Sequence, residues 1–225
     1  MKNLQKSRKT KKSGKNLKMG NTTTKSSNKI YTLPINENLS FLIEELSAEE
    51  VNELGSYGQM IVVFDGSGSM QQHYQTLRRI AQIAIEGGAD AIFFATTAML
   101  IVQETKNGEA DLSDSALGSC INGMTDYKAA LDIVAQMCSP STVVLFMTDG
   151  QPNHGGDWIS VVQRIHKVLD VKKGGHMQSL FLSENATEAD KSIMRKLCTV
   201  GQSPAFVTST TYVFFCFFFV FMIYM

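Results

Sequence analysis

The chain has 225 residues, of which 44% are hydrophobic and 19% are charged. This composition predicts one globular domain with tails and excludes a collagen-like, coiled-coil or fully disordered protein. The 21 Lys and Arg residues balance the 21 Asp and Glu residues, but residues 1–29 hold ten basic residues and no acidic ones. The rest of the chain has 11 basic against 21 acidic residues, a net charge of −10. Such a body is a poor nucleic-acid binder, and only the basic segment fits that role.

Composition divides the chain into four segments: residues 1–29, 30–57, 58–208 and 209–225. The first is rich in Lys, Ser, Thr and Asn, and we expect a disordered basic arm. For the second we expect a helical lead-in, with one helix over 38–46 and another after Ser47, which opens a capping-box pattern. The third has the alternating apolar pattern of a folded domain, and the fourth is a hydrophobic, aromatic-rich tail.

Short apolar runs alternate with amphipathic stretches through the third segment. The predicted strands are 59–64, 91–95, 99–102, 142–147, 178–182 and 205–208. The predicted helices are 70–86, one from Tyr127, one from Trp158, and 188–198, with a long polar loop over 106–123. Wholly apolar strands that alternate with helices predict an α/β fold, with a doubly wound, mostly parallel central sheet and helices on both faces. In such folds, ligands bind beyond the carboxyl ends of the strands.

Oxygen-bearing side chains lie at the ends of three of these predicted elements. Asp65, Ser67 and Ser69 come directly after the first strand, Thr125 precedes a helix, and Asp149 follows the strongest strand. Two carboxylates and three hydroxyls form an all-oxygen donor set of low charge, which suits Mg²⁺ or Mn²⁺. The residues predicted to form the rim for a bound ligand are Gly66, Gly68, Met124 and Gly150.

The segments IVVFDGSGSM, GMTDYKAAL and VVLFMTDG resemble the von Willebrand factor type A domain. In that family the D-x-S-x-S, Thr and Asp positions form the metal-ion-dependent adhesion site. The resemblance implies a Rossmann-like fold in which the two serines and the threonine ligate the metal directly and the two aspartates act mainly through bound water. It further implies that a partner's Asp or Glu carboxylate completes the coordination. The function expected is therefore a metal-dependent protein-binding module.

Other interpretations fit less well. Each motif alone also fits an ordinary turn, but all of them together at strand ends favour a site. The G-x-S-x-G pattern of hydrolases and the G-x-G-x-x-G pattern of dinucleotide sites are absent. Asp126 is expected to favour the positive end of a helix dipole, and His154 is expected to lie in a solvated loop. The alternative is a Mg²⁺-dependent enzyme or enzyme subunit acting on phosphorylated substrates. Because the motif lacks a nucleophile, a phosphate clamp and a general base, we expect that the protein is not an enzyme.

The chain termini and cysteines bear on localisation. The four cysteines are scattered without metal-ligand spacing, and no apolar core follows the first lysines, so we expect a cytoplasmic protein. Met19 and Gly20 open a myristoylation pattern that applies only if translation starts at Met19, so starts at Met1 and Met19 both stay open. The aromatic tail fits a membrane anchor, a buried terminal strand or an aberrant end. The tail and the basic arm are the predicted membrane contacts.

Overall fold

A computed structural model describes residues 29–36, 39–45, 58–101, 110–183, 185–206 and 213–214 of the protein. Two sheets are present in this part of the chain, one of six strands and one of three. The six-stranded sheet carries the candidate site.

The six-stranded sheet is mostly parallel. Its strands are β3 (Met60–Asp65), β4 (Asp90–Phe94), β5 (Ala98–Ile101), β6 (Val143–Thr148), β7 (His176–Phe181) and β8 (Ala205–Phe206). Their order is β5-β4-β3-β6-β7-β8, and only the β4–β5 pair is antiparallel. After β3 the chain builds one side of the sheet and then crosses to the other side with β6. The carboxyl ends of β3 and β6 therefore flank the point where the winding direction changes.

In the described part of the chain, five α-helices connect these strands: α1 (Tyr74–Glu86), α2 (Asp114–Leu117), α3 (Tyr127–Met137), α4 (Trp158–Val168) and α5 (Glu188–Leu197). Short 3₁₀ turns cover Gly68–His73, Gly118–Cys120 and Val171–Lys173. Asp126 is the N-cap of α3, and its side chain accepts a hydrogen bond from the backbone N–H of Ala129. It thus lies one position before the first helical turn, where a short acidic side chain satisfies an otherwise free N–H.

The sheet is covered on both faces. In β3, Val62 and Phe64 pack with α1, whereas Ile61 and Val63 pack with α3, α4 and α5. Both sets are fully buried, which explains why this strand is apolar throughout and does not alternate with polar residues. The doubly wound α/β architecture predicted from the sequence is confirmed.

The prediction of a helical lead-in over 30–57 is wrong for the residues that the structure describes there. β1 (Lys29–Asn36) and β2 (Leu39–Glu45) form an antiparallel pair, where a helix over 38–46 was predicted. Leu39, Phe41 and Ile43 alternate with other residues at the two-residue period of a strand, and this pattern outweighs helix propensity. The capping-box residue Ser47 lies outside the described residues.

Other differences are local. The predicted polar loop over 106–123 contains α2 and a 3₁₀ turn in its described part. The helix predicted from residue 70 begins as a 3₁₀ turn and becomes α-helical only at Tyr74. In the predicted tail, β9 (Val213–Phe214) pairs in parallel with β2. None of the helices described here is long and apolar enough to cross a bilayer.

Candidate metal site

Asp65 is the last residue of β3, and Asp149 directly follows β6, its neighbour in the sheet. Parallel pairing brings both strand ends to the same edge. The two carboxylates therefore lie at the point where the sheet changes its winding direction, which is where ligands bind in open α/β sheets.

Asp65 is fully buried and has two hydrogen-bond donors. Its Oδ2 accepts a 2.5 Å hydrogen bond from the Thr148 hydroxyl, and its Oδ1 accepts a 2.8 Å hydrogen bond from the backbone N–H of Ser67. Burial raises the pKa of Asp65 to about 6, and these hydrogen bonds oppose the shift. The nearby Asp149 charge adds to the increase. No lysine or arginine forms an ion pair with Asp65 in the described ranges, and a bound cation would stabilise the charged form of this buried carboxylate.

Hydrogen bonds among Ser67, Ser69 and Asp149 join the first loop (66–69, after β3) to the third loop, which follows β6. The hydroxyls of Ser67 and Ser69 lie 3.1 Å apart, and Ser69 donates a 2.8 Å hydrogen bond to Oδ1 of Asp149. Ser67 is buried, Asp149 is half-buried and Ser69 is exposed. Burial raises the pKa of Asp149, while the Ser69 hydrogen bond opposes this. This row of hydrogen-bonded side chains therefore runs from the protein interior to solvent, and its outer end is accessible.

Thr125 lies in the second loop (122–125), which hydrogen bonds hold in place beside the first loop. The N–H of Gly68 donates to the carbonyl oxygen of Gly123 at 3.0 Å, and the N–H of Thr125 donates to the Asn153 side chain at 2.8 Å. Thr125 is 4% exposed, yet its hydroxyl forms no hydrogen bond with the described residues. Its lone pairs are therefore free for another ligand.

Of the predicted rim residues, three are accessible and one is not. Met124 is 53% exposed, Gly68 is exposed and Gly150 is half-buried. Gly66 is buried, and a β-carbon there would lie 2.2 Å from the carbonyl oxygen of Cys120. The loops come so close at this point that only glycine fits, so Gly66 supports the site from inside and does not line the rim.

Several residues next to the site could not be identified from the sequence. They are Tyr74, Asn122, Tyr127 and Asn153, and each contributes a hydrogen bond to the loops described above. His73 is a further neighbour: burial lowers its pKa, and the charge of Asp149 opposes that shift. His154 is exposed, as expected for a solvated loop histidine.

The donor set fits a hard divalent cation better than a soft one. Within the described ranges, no three His, Cys, Asp or Glu side chains lie together in a way that could hold a metal. A cation at this edge would depend on hydroxyls as well as on Asp65 and Asp149. Such neutral and anionic oxygens suit Mg²⁺ or Mn²⁺, which retain some of their water when bound.

No protein-family profile and no curated protein matches the chain. Among solved structures, proximal thread matrix protein 1 from the mussel byssus (crystal form 2) is 17% identical, with a TM-score of 0.49 over 68% of this chain and 44% of that one. The same mussel protein with a zinc-occupied MIDAS motif is 16% identical, with a TM-score of 0.46 over 66% and 44% of the two chains. The manganese-loaded TRAP protein of Plasmodium vivax is 15% identical, with a TM-score of 0.39 over 61% and 62%.

The present chain thus spans less than half the length of the mussel protein structures. At these identities and TM-scores, the similarities assign no metal, partner or activity to this chain.

Proposed function

We propose that the protein is a metal-dependent protein-binding module of the von Willebrand factor type A kind. In this proposal Asp65, Ser67, Ser69, Thr125 and Asp149 hold one Mg²⁺ or Mn²⁺. The observation that carries it is the buried Asp65 carboxylate, which has a raised pKa and is linked through Ser67 and Ser69 to the more accessible Asp149. A bound cation would supply positive charge to attract a carboxylate.

The chain's own residues have separable roles in this proposal. Thr148 and the backbone of Ser67 hold the Asp65 carboxylate in one orientation. Ser69 orients Asp149 by a hydrogen bond at the solvent-accessible end. Thr125 offers a hydroxyl with no internal hydrogen-bond partner among the described residues. The protein therefore presents donors that are already positioned, which lowers the entropy cost of binding a cation.

The proposed partner is a protein that presents an Asp or Glu carboxylate. Met124 and Gly68 are exposed beside the site, and Gly150 is half-buried, so a side chain of a partner has access there. No ion pair joins Asp65 or Asp149 to a lysine or arginine in the described ranges. The role proposed is a non-catalytic one.

The experiment measures a ternary complex. Mn²⁺ bound to the protein accelerates the relaxation of water protons, and a short peptide with one Glu should reduce this effect as it displaces bound water. The same peptide with Gln in place of Glu is the matched control and should have no effect. An equal response to both peptides would contradict carboxylate recognition, and no Mn²⁺-dependent relaxation with the protein would contradict the metal site.

A further inference from the structure

The hydroxyl of Tyr74 lies between the two loops that carry the site's hydroxyl groups. Tyr74 is the first residue of α1 and is 8% exposed. Its hydroxyl oxygen is 2.6 Å from the carbonyl oxygen of Gly66 and 2.9 Å from that of Ser67, both in the first loop. The backbone N–H of Asn122, in the second loop, donates to the same hydroxyl at 2.8 Å.

The hydroxyl of Tyr74 acts both as a hydrogen-bond donor and as an acceptor. Tyr74 has one proton to donate, and the shorter contact assigns it to Gly66, while Asn122 occupies the acceptor side. Burial raises the pKa of Tyr74, so its hydroxyl keeps that proton at neutral pH. The N–H of Asn122 also reaches the carbonyl oxygen of Gly66 at 2.8 Å, so the three groups form a closed triangle.

Asn122 has an unusual backbone conformation. Its φ of 59° is the only positive value at a non-glycine residue in the described ranges. Asparagine tolerates this left-handed conformation better than most residues, but it persists only where surrounding contacts maintain it. The hydrogen bond from the Asn122 N–H to Tyr74 is such a contact. Asn122 lies three residues before Thr125.

The loop from Asn122 to Thr125 is held at every residue. Tyr74 contacts Asn122, Gly68 contacts Gly123, the Thr96 hydroxyl accepts from the N–H of Met124 at 3.0 Å, and Asn153 contacts Thr125. Of these anchors, the Tyr74 hydroxyl is the one side-chain group that hydrogen-bonds both the Gly66–Ser67 backbone and the second loop.

We propose that Tyr74 is a positioning residue for the site, whose hydroxyl sets the second loop, and with it Thr125, against the Ser67 and Ser69 loop. The inference rests on the proposed metal-binding function. Loss of this hydroxyl would leave the aromatic ring in the core, but at Asn122 the second loop would keep only the hydrogen bond from its N–H to the Gly66 carbonyl and would be held less tightly. Thr125 would then spend less time in the arrangement that binds a cation, and the apparent affinity would fall in proportion.

The experiment compares Tyr74→Phe with a control variant in the full chain. Ser179→Ala removes another buried hydroxyl, which donates to the carbonyl oxygen of Met194 on the far side of the sheet. The measurements are the Mn²⁺ dissociation constant by electron paramagnetic resonance, the Tm, and the exchange rates of the Asn122 and Gly68 amides without metal.

For Tyr74→Phe we expect Mn²⁺ affinity to fall about tenfold and the exchange at Asn122 to accelerate about fivefold, as for the loss of one hydrogen bond. The Ser179→Ala control should bind Mn²⁺ within about twofold of the wild type, although its Tm should fall. Wild-type affinity in Tyr74→Phe, or unchanged amide exchange, would overturn the inference and leave the proposed function intact. If the wild type itself bound no Mn²⁺, the proposed function and this inference would both fall.

Discussion

The Thr148 hydroxyl donates a 2.5 Å hydrogen bond to Oδ2 of Asp65, and both residues are fully buried. This bond joins the ends of β6 and β3 at the edge of the sheet where the candidate site lies. It partly offsets the loss of hydration that raises the pKa of Asp65 to about 6. The metal-free protein therefore holds a carboxylate that is costly to ionise, and its stability should depend on pH.

Without metal, the contribution of Asp65 to the free energy of unfolding should fall as pH rises. Asp65 has a pKa of about 6 in the folded state against 3.8 as the ordinary value, so the folded protein binds more protons between these limits. The stabilisation is complete below about pH 4 and is lost as pH rises through about 6, an effect of about 3 kcal/mol. Urea unfolding in EDTA measures it, and Asp65→Asn should flatten this part of the curve. An unchanged slope in Asp65→Asn would contradict the assignment to Asp65.

Thr148→Val should destabilise the metal-free protein more at pH 8 than at pH 5. The variant removes the hydroxyl donor of Asp65, which matters most when the carboxylate is charged, and the cost at high pH should be about 1–3 kcal/mol. Thr142→Val is the matched control, because Thr142 is a buried threonine just before the other end of the same strand. Its cost should not vary with pH. Equal pH dependence in the two variants would argue against a special role for Thr148.

Thr125→Ala should impair Mn²⁺ binding while it costs only about 1 kcal/mol of stability, since one methyl group and no internal hydrogen bond are lost. Thr125→Ser keeps the hydroxyl and should restore the binding. Calorimetric titration and thermal unfolding of both variants separate the two effects. If Thr125→Ser bound Mn²⁺ as weakly as Thr125→Ala, the hydroxyl would not be the group that matters.

Removal of residues 210–225 should leave the six-stranded sheet folded. The strand in this region, β9, pairs with β2 in the three-stranded sheet and not with the six-stranded one. We expect cooperative thermal unfolding with nearly the same Tm, and less aggregation because the eight aromatic residues of the tail are removed. Loss of cooperative unfolding would show that the tail contributes to the folded core.

The central sheet could be predicted because its strands are buried on both faces and are therefore apolar throughout. The run of Ile61, Val62 and Val63 identifies such a strand without any tertiary information. The β1–β2 pair could not be identified so easily. The residues of Leu39–Glu45 are also compatible with a helix, so their alternating pattern alone does not identify a strand. The hydrogen bonds that make this segment a strand come from its partner strand, β1.

The candidate site residues could be located from the sequence where a polar side chain directly follows a recognisable strand. Asp65, Ser67 and Asp149 follow strand ends that sequence alone locates. Tyr74 and Asn153 were not predictable, because their contacts depend on where a helix start and a distant turn lie in space.

The most direct test is calorimetric titration of Mg²⁺ and of Mn²⁺ into the purified wild-type protein and into Asp65→Ala. The account predicts one bound ion per wild-type chain at concentrations on the order of millimolar or below, and no binding to Asp65→Ala, which should keep its fold. An absence of binding to the wild type at millimolar concentrations, with and without a carboxylate ligand, would contradict the metal site.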